Sequence, residues 1–139
     1  MAKRIREIMT PDPVIMQASA TPTEAARVMR DKGIGDVIVY KDNQFCGIVT
    51  DRDLTVRVLS ESKSPTTATL ESVCSREITA LSPDDTTEVA VRFMRKKAVR
   101  RLPVVNDGQV VGIVSLGDLA MHLDRKSALA DISAAAANR

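Results

Sequence analysis

Apolar positions along this chain switch between helical spacing and runs of strand length, and they do so twice in the same order. Ile5, Ile8 and Met9 recur at helical spacing before Pro11 and Pro13, which predicts a short amphipathic helix ending there. Val14-Ile15-Met16 reads as a short strand. Thr21-Pro22-Thr23-Glu24 supplies an N-cap hydroxyl, a proline at the first helical position and an acid at the third, so a helix is predicted from about Pro22 to Lys32. Its buried stripe is Ala25, Ala26, Val28 and Met29, and Gly33 is placed to end it. Val37–Tyr40 and Phe45–Val49 read as strands joined by the turn Lys41-Asp42-Asn43-Gln44. Thr50 opens a further helix carrying Leu54, Val58 and Leu59 on one side.

The stretch Ser60–Thr69, rich in Ser, Thr and Lys, reads as a linker, and the order then starts again. Leu70–Cys74 is a second lead-in and Ile78–Leu81 a second short strand. The next helix is capped by Asp84 or Asp85 and carries Ala90, Phe93 and Met94 on its apolar face. Leu102–Val105 and Val110–Val114 flank Asn106-Asp107-Gly108, the stronger of the two hairpin signals. Leu119 to Arg125 finishes the unit as helix, and Ser127–Arg139, Ala-rich without an apolar stripe, is expected to be a frayed helix or a disordered tail. Each unit is thus β-α-β-β-α. The expected domains are a first unit at 1–59 with its lead-in helix, a linker at 60–69, a second unit at 70–126 and a tail at 127–139.

At a constant offset of 65, Ile5–Leu54 aligns with Leu70–Leu119 without a gap, and 14 of the 50 positions are identical. The densest match is Gly47-Ile48-Val49-Thr50-Asp51-Arg52-Asp53-Leu54 against Gly112-Ile113-Val114-Ser115-Leu116-Gly117-Asp118-Leu119. A single unit of this size is marginal, so the two are expected to share a core, with three-stranded sheets packed face to face.

This doubled order, an Ala-x-x-x-Met helix, an apolar strand, a tight turn and then Gly-Ile-Val-(Thr/Ser)-x-x-Asp-Leu, resembles a tandem pair of cystathionine-β-synthase-type (CBS) domains, the Bateman module. The likeness covers nearly the whole chain and, among stand-alone pairs, is most similar to small hypoxic-response-type proteins. It implies an α+β fold of two β-α-β-β-α units packed sheet to sheet, with adenine nucleotides held in the clefts between them.

Composition narrows the partners. Aromatic residues are 2% of the chain and Trp is absent, which removes the stacking platforms used to bind single-stranded nucleic acid. Twenty basic residues against 18 acidic ones give +2, too even a balance to signal nucleic acid or a membrane. The N-terminal Met1-Ala-Lys-Arg-Ile-Arg-Glu lacks a signal-peptide apolar segment, so a cytoplasmic location is expected, with Cys46 and Cys74 as buried thiols.

Thr50-x-x-Asp53 and Ser115-x-x-Asp118 sit where a strand hands over to a helix. A hydroxyl N-cap with an acid three residues on is a helix-start device. The same place presents free backbone N–H groups and a positive helix end, which suits a phosphate, while a carboxylate can accept ribose hydroxyls. Gly47 and Gly112 would let either a ligand or a neighbouring backbone come close. By resemblance, ribose falls to Asp53 and Asp118 with Thr50 and Ser115 beside them, and adenine is walled by Val14 and Ile34 in one unit and by Thr79 and Val99 in the other. Arg100 and Arg101 are placed where family members set phosphate-contacting basic residues, a role that suits guanidinium forks. Gly35 and Asp36 replace them in the first unit, so the two clefts are expected to be unequal. Arg92, Arg95, Lys96 and Lys97 read as a solvated helix face, and His122 as a half-exposed helix residue.

No catalytic or metal-binding constellation appears in the sequence. The expected function is a stand-alone regulatory module, not an enzyme, that binds AMP, ADP or ATP, with S-adenosylmethionine as a substitute, and answers energy or stress state through an unknown protein target. It is expected to form a homodimer of pairs that buries the apolar lead-in and C-terminal helix faces. The alternative is a ligand-free homodimer acting as a protein-interaction module.

Overall fold

The backbone bonds of the two lead-in segments decide how the chain divides. The computed structural model describes residues 3–76, 78–124 and 126–135. In chain order its elements are α1 (Ile5–Ile8), β1 (Thr10–Pro11), β2 (Ile15–Gln17), α2 (Pro22–Lys32), β3 (Asp36–Lys41), β4 (Gln44–Thr50), α3 (Asp51–Asp53, continuing as a π-helical turn over Leu54–Leu59), α4 (Leu70–Val73), α5 (Thr87–Lys97), β5 (Arg101–Asn106), β6 (Gln109–Ser115), α6 (Leu116–Leu123) and α7 (Ala128–Ala134). Val14–Ile78 forms one compact unit, here the continuous unit. The residues up to Pro13 join those from Thr79 onward in a second, the split unit.

The packing units are therefore not the sequence repeats 1–59 and 70–126, because each lead-in is bonded into the other repeat. The Ile5 N–H donates to the Asp85 carbonyl at 2.8 Å and the Arg6 N–H to the Pro83 carbonyl at 3.0 Å. At the matching positions 65 residues on, Leu70 N–H donates to the Ala20 carbonyl at 2.8 Å and Glu71 N–H to the Ala18 carbonyl at 3.1 Å. The spacing of Ile5 and Ile8 specifies that one face of α1 is buried but not which core takes it. Backbone pairing with the strap Pro83–Asp85, reinforced by the Arg6–Asp84 ion pair, makes that choice.

The buried apolar residues form a cluster within each unit. The continuous unit buries Ala25, Met29, Val37, Val39, Val49, Leu70 and Val73, and the split unit buries Ile5, Ile8, Leu81, Ala90, Leu102, Val104 and Val114. Sheet order is β2-β3-β4 in the continuous unit and β1-β6-β5 in the split unit, so the α+β class holds. Both hairpins close through two-residue turns with left-handed φ, at Asp42 (51°) and Asn43 (63°) and at Asp107 (51°) and Gly108 (78°), as their composition requires. Strand β1 pairs Thr10 with Ile113 and Pro11 with Gly112, a pairing that the two prolines concealed.

Several local expectations need correction. Ile78–Leu81 is no strand: only Leu81 bridges, in parallel, to Val104. Helix α5 is entered at Thr86, in extended conformation, while the Asp85 carboxylate turns back to accept from the Ser82 N–H at 2.8 Å. The alignment of Thr86 with the N-cap Thr21 was the available signal. The Ala-rich tail holds an ordered helix, α7, because Ser127 accepts from the Ala130 N–H at 3.0 Å and Ala130 is buried. Arg125 and the last four positions of the tail, 136–139, lie outside the described residues. Of the residues on one side of the helix after Thr50, Val58 is buried while Leu59 is 73% exposed. Among the described residues no helix is long and apolar enough to cross a membrane.

Helices α2 and α5 both end on a left-handed residue, Gly33 at φ 64° and Ala98 at φ 54°. Only the second carries a Cβ, and left-handed backbone costs an L-residue about 1–2 kcal/mol, part of which glycine returns as unfolded-chain entropy. Ala98→Gly should therefore raise the unfolding free energy by about 0.5–1 kcal/mol, read from urea midpoints at constant slope.

Candidate functional site

Strand β4 hands over to α3 at Thr50 (φ −107°, ψ 165°), and β6 hands over to α6 at Ser115 (φ −106°, ψ 164°), so the two helix starts share one geometry. In the first, the Asp53 N–H donates to the Thr50 hydroxyl at 3.1 Å and the Thr50 N–H to Asp53 Oδ2 at 2.9 Å. In the second, the Asp118 N–H donates to the Ser115 hydroxyl at 3.1 Å and the Ser115 N–H to Asp118 Oδ2 at 2.9 Å. The capping role is thus filled in both copies, and one carboxylate oxygen of each Asp is committed to it.

The copies differ at the other carboxylate oxygen. Asp53 Oδ1 lies 3.6 Å from Arg57 Nε, and the same guanidinium donates to the Val73 and Cys74 carbonyls at 3.3 and 3.2 Å. The residue matching Arg57 in the second repeat is His122, which meets Lys3 instead, Nζ to Nδ1 at 3.5 Å. Among the described residues no cation pairs with Asp118, so its second oxygen has no ionic partner of the kind Asp53 has.

Each unit gathers its own set of the expected residues at one end of its sheet. In the continuous unit Asp36 pairs with Thr50 across the ladder, the Asp51 N–H donates to the Gly35 carbonyl at 3.0 Å, and the Val14 carbonyl accepts from Ile38 N–H at 2.8 Å. Val14, Ile34, Thr50 and Asp53, all half-buried, are thereby brought to the start of β3, with Asp36 among them. In the split unit Arg101 pairs with Ser115, the Leu116 N–H donates to the Arg100 carbonyl at 2.8 Å, and Thr79 precedes the Leu81 bridge to β5. Thr79, Val99, Arg100, Arg101, Ser115 and Asp118 therefore stand along one sheet end. Val99 and Arg100 also line a hollow of about 500 Å³ with Leu116, Leu119, Leu123 and Leu129, apolar apart from its rim. The two sheet ends carry opposite charge: an acid at Asp36 in one, two guanidinium groups in the other.

The repeated glycines serve packing. A Cβ on Gly47 would lie 2.5 Å from the Ser75 carbonyl oxygen and 2.9 Å from Cys74 Sγ, and one on Gly112 would lie 2.6 Å from Met9 Sδ and 2.9 Å from the Thr10 carbonyl oxygen. In both units the neighbour is the segment that follows the lead-in helix, which resolves the choice between ligand and backbone.

Sequence reasoning missed Gly117 and Ser133. A Cβ on Gly117 would meet Ser133 Oγ at 2.8 Å, so α7 lies against the start of α6, beside the Ser115 hydroxyl; Arg52 stands at the matching position of the first repeat. The signal was a glycine at the second position of a helix, where close approach is the physical reason to give up helix propensity. Cys74 is buried and Cys46 half-buried, both as free thiols, and burial pushes the Cys74 thiol above its ordinary range, with Cys46 adding to the shift. Among the described residues no group of three or more His, Cys, Asp or Glu side chains converges.

A family model for the CBS domain matches residues 5–60 and again 70–125. Hypoxic response protein 1 of Mycobacterium tuberculosis is 32% identical over 119 residues, covering 85% of this chain and 83% of that protein. An uncharacterized protein of Methanopyrus kandleri is also 32% identical, over 83% of this chain, but the chain spans only 60% of that relative. The crystal structure of Hypoxic Response Protein I with two coordinated zinc ions superposes with a TM-score of 0.79 at 30% identity, covering 86% of this chain and 98% of that one. A CBS domain pair solved in complex with 5′-methylthioadenosine and S-adenosyl-L-methionine has the same fold, with a TM-score of 0.82 at 22% identity over 91% of this chain and all of that one.

Proposed function

The chain belongs to the CBS-domain family, and from that premise we propose that it is a regulatory CBS pair that binds an adenine nucleotide at its strand-to-helix turns and reports energy or stress state to a protein target. The observation that carries the reading is the uncommitted second oxygen of Asp118. It stands at a helix start beside a hydroxyl and at the same sheet end as Arg100 and Arg101, which together offer what ribose and phosphate need. Val99 and Thr79 at that sheet end would wall the base. The fold supports the ligand class, since another CBS pair of this fold holds two adenosine compounds.

The matching set Val14, Ile34, Thr50 and Asp53 forms the weaker site. Asp53 is already paired with Arg57, and Gly35 and Asp36 stand where the split unit has Arg100 and Arg101, so this site lacks the two guanidinium groups a phosphate would pair with. AMP, ADP and ATP are the proposed ligands, with S-adenosylmethionine as a substitute. Output requires a second conformation or a partner with different affinity for the two states.

A homodimer of pairs is also proposed, with one change to its surface. Ile5 and Ile8 are buried inside the split unit and have no apolar face to offer a second copy. Leu129 and Ile132 remain 44% and 71% exposed, and they supply the face.

Calorimetric titration of the purified chain with AMP, ATP and S-adenosylmethionine tests the ligand. At least one should bind with a dissociation constant well below about 1 mM, roughly 4 kcal/mol or more of binding free energy, and Arg100→Gln with Arg101→Gln should weaken ATP more than S-adenosylmethionine. Binding weaker than about 1 mM for all three leaves a protein-interaction module as the function.

A further inference from the structure

A hollow of about 740 Å³ in the split unit is lined by none of the residues assigned to the nucleotide, although it shares Val91, Arg95 and Leu123 with the neighbouring hollow that Val99 and Arg100 line. Three separate segments bring basic side chains to it: Lys3 from the lead-in, Arg92 and Arg95 from α5, and His122 from α6. Glu88 is the one carboxylate on its wall. With the imidazole neutral, the lining sums to three cations and one anion. The Lys3 ammonium, which has no acceptor, sits 3.5 Å from His122 Nδ1, so that nitrogen takes the proton-accepting role and Nε2 carries the hydrogen.

The internal repeat supplies a control inside the same chain. At the positions matching Arg95 and His122, the continuous unit has Arg30 and Arg57, and both are neutralised: Arg30 Nε is 2.9 Å from Asp31 and Arg57 Nε 3.6 Å from Asp53. Lys96 replaces Asp31 in the split unit. Among the described residues Lys3, Arg92 and Arg95 make no ion pair. Arg92 is steadied only by its guanidinium carbon lying 5.7 Å from the Phe93 ring centre. A concave patch of one sign without counter-charges repels itself and draws anions from solution.

We infer that this hollow is a second anion site, separate from the strand-to-helix turns, that takes a compact polyphosphate of diphosphate size. Arg92 and Arg95 are three residues apart on one helix face, so their guanidinium forks stand side by side and each can hold one phosphate group in bidentate fashion. Lys3 supplies a point charge from the opposite wall, and the His122 Nε2–H a neutral donor. The assignment does not rest on nucleotide binding and stands if adenine compounds fail to bind.

Inorganic pyrophosphate is the probe. The chain contains a single histidine, so its proton NMR spectrum carries one imidazole Hε1 resonance, which belongs to a residue lining this hollow, and the arginine variants below separate binding here from binding near Asp118. Titrating pyrophosphate into the full chain at fixed pH and ionic strength should move that resonance saturably. In parallel calorimetry, Arg92→Gln with Arg95→Gln should weaken pyrophosphate at least about tenfold, the loss expected for removed charge-assisted bonds. The matching pair Arg27→Gln with Arg30→Gln should leave affinity within twofold of the parent. An imidazole signal that stays still while pyrophosphate binds, equal losses from the two pairs, or no binding up to 10 mM pyrophosphate would each overturn the assignment.

Discussion

Gly47→Ala is expected to lower the unfolding free energy by about 2–3 kcal/mol, and with it the melting temperature by about 6–12 °C. The added Cβ meets the Ser75 carbonyl oxygen at 2.5 Å, and that oxygen cannot swing away. It accepts from the Ile48 N–H at 3.2 Å, while the Ser75 N–H donates to the Ile48 carbonyl at 2.9 Å, so relief requires breaking a two-way bridge that ties the end of the second lead-in to β4. Gly47 does not need a left-handed backbone, which makes the effect one of space. Gly108→Ala is the contrast: nothing lies within 4 Å of its Cβ, but φ is 78°, and the conformational cost alone is about 1–2 kcal/mol. Urea unfolding of the two variants separates them, and a Gly47→Ala loss no greater than that of Gly108→Ala contradicts the packing account.

The second large effect falls on ligand affinity. Asp118→Ala should weaken adenine-nucleotide binding by about 10–100-fold, the range for hydrogen bonds from ribose hydroxyls to a charged acceptor, while costing only about 1 kcal/mol of stability through the lost cap. Asp118→Asn keeps an oxygen to accept from the Ser115 N–H and should restore most of the stability but little of the affinity. Calorimetry and thermal melts on the same preparations provide both readings. If Asp118→Ala loses stability and keeps its affinity, capping is the whole role of the residue.

The local plan was legible because it rests on short-range rules. Thr21-Pro22-Thr23-Glu24 and Gly33 bound a helix that the structure places at Pro22–Lys32, and the turn dipeptides at Asp42-Asn43 and Asp107-Gly108 set both hairpins. The two helix starts were legible for the same reason, since a hydroxyl and an acid at fixed spacing form the same reciprocal bonds wherever they occur. What escaped depends on partners distant in sequence. The burial of Ile5 and Ile8 follows from backbone pairing near residue 85, and the order of α7 follows from a gap at Gly117 that only Ser133 fills. The difference between Asp53 and Asp118 turns on one substitution in the repeat, Arg57 to His122, whose meaning appears only once both side chains are placed.

Because the split unit draws on both ends of the chain, the two units cannot finish at the same moment during synthesis. The continuous unit from Val14 to Ile78 precedes β5 and β6 in the chain and emerges from the ribosome before them, so it closes first on contacts short in sequence. Ile5 and Ile8 emerge before the continuous unit, yet their seat beside Leu102, Val104 and Val114 is made after it. Until then the lead-in is a sticky, unhoused segment, and a nascent chain stalled before residue 101 offers it to chaperones.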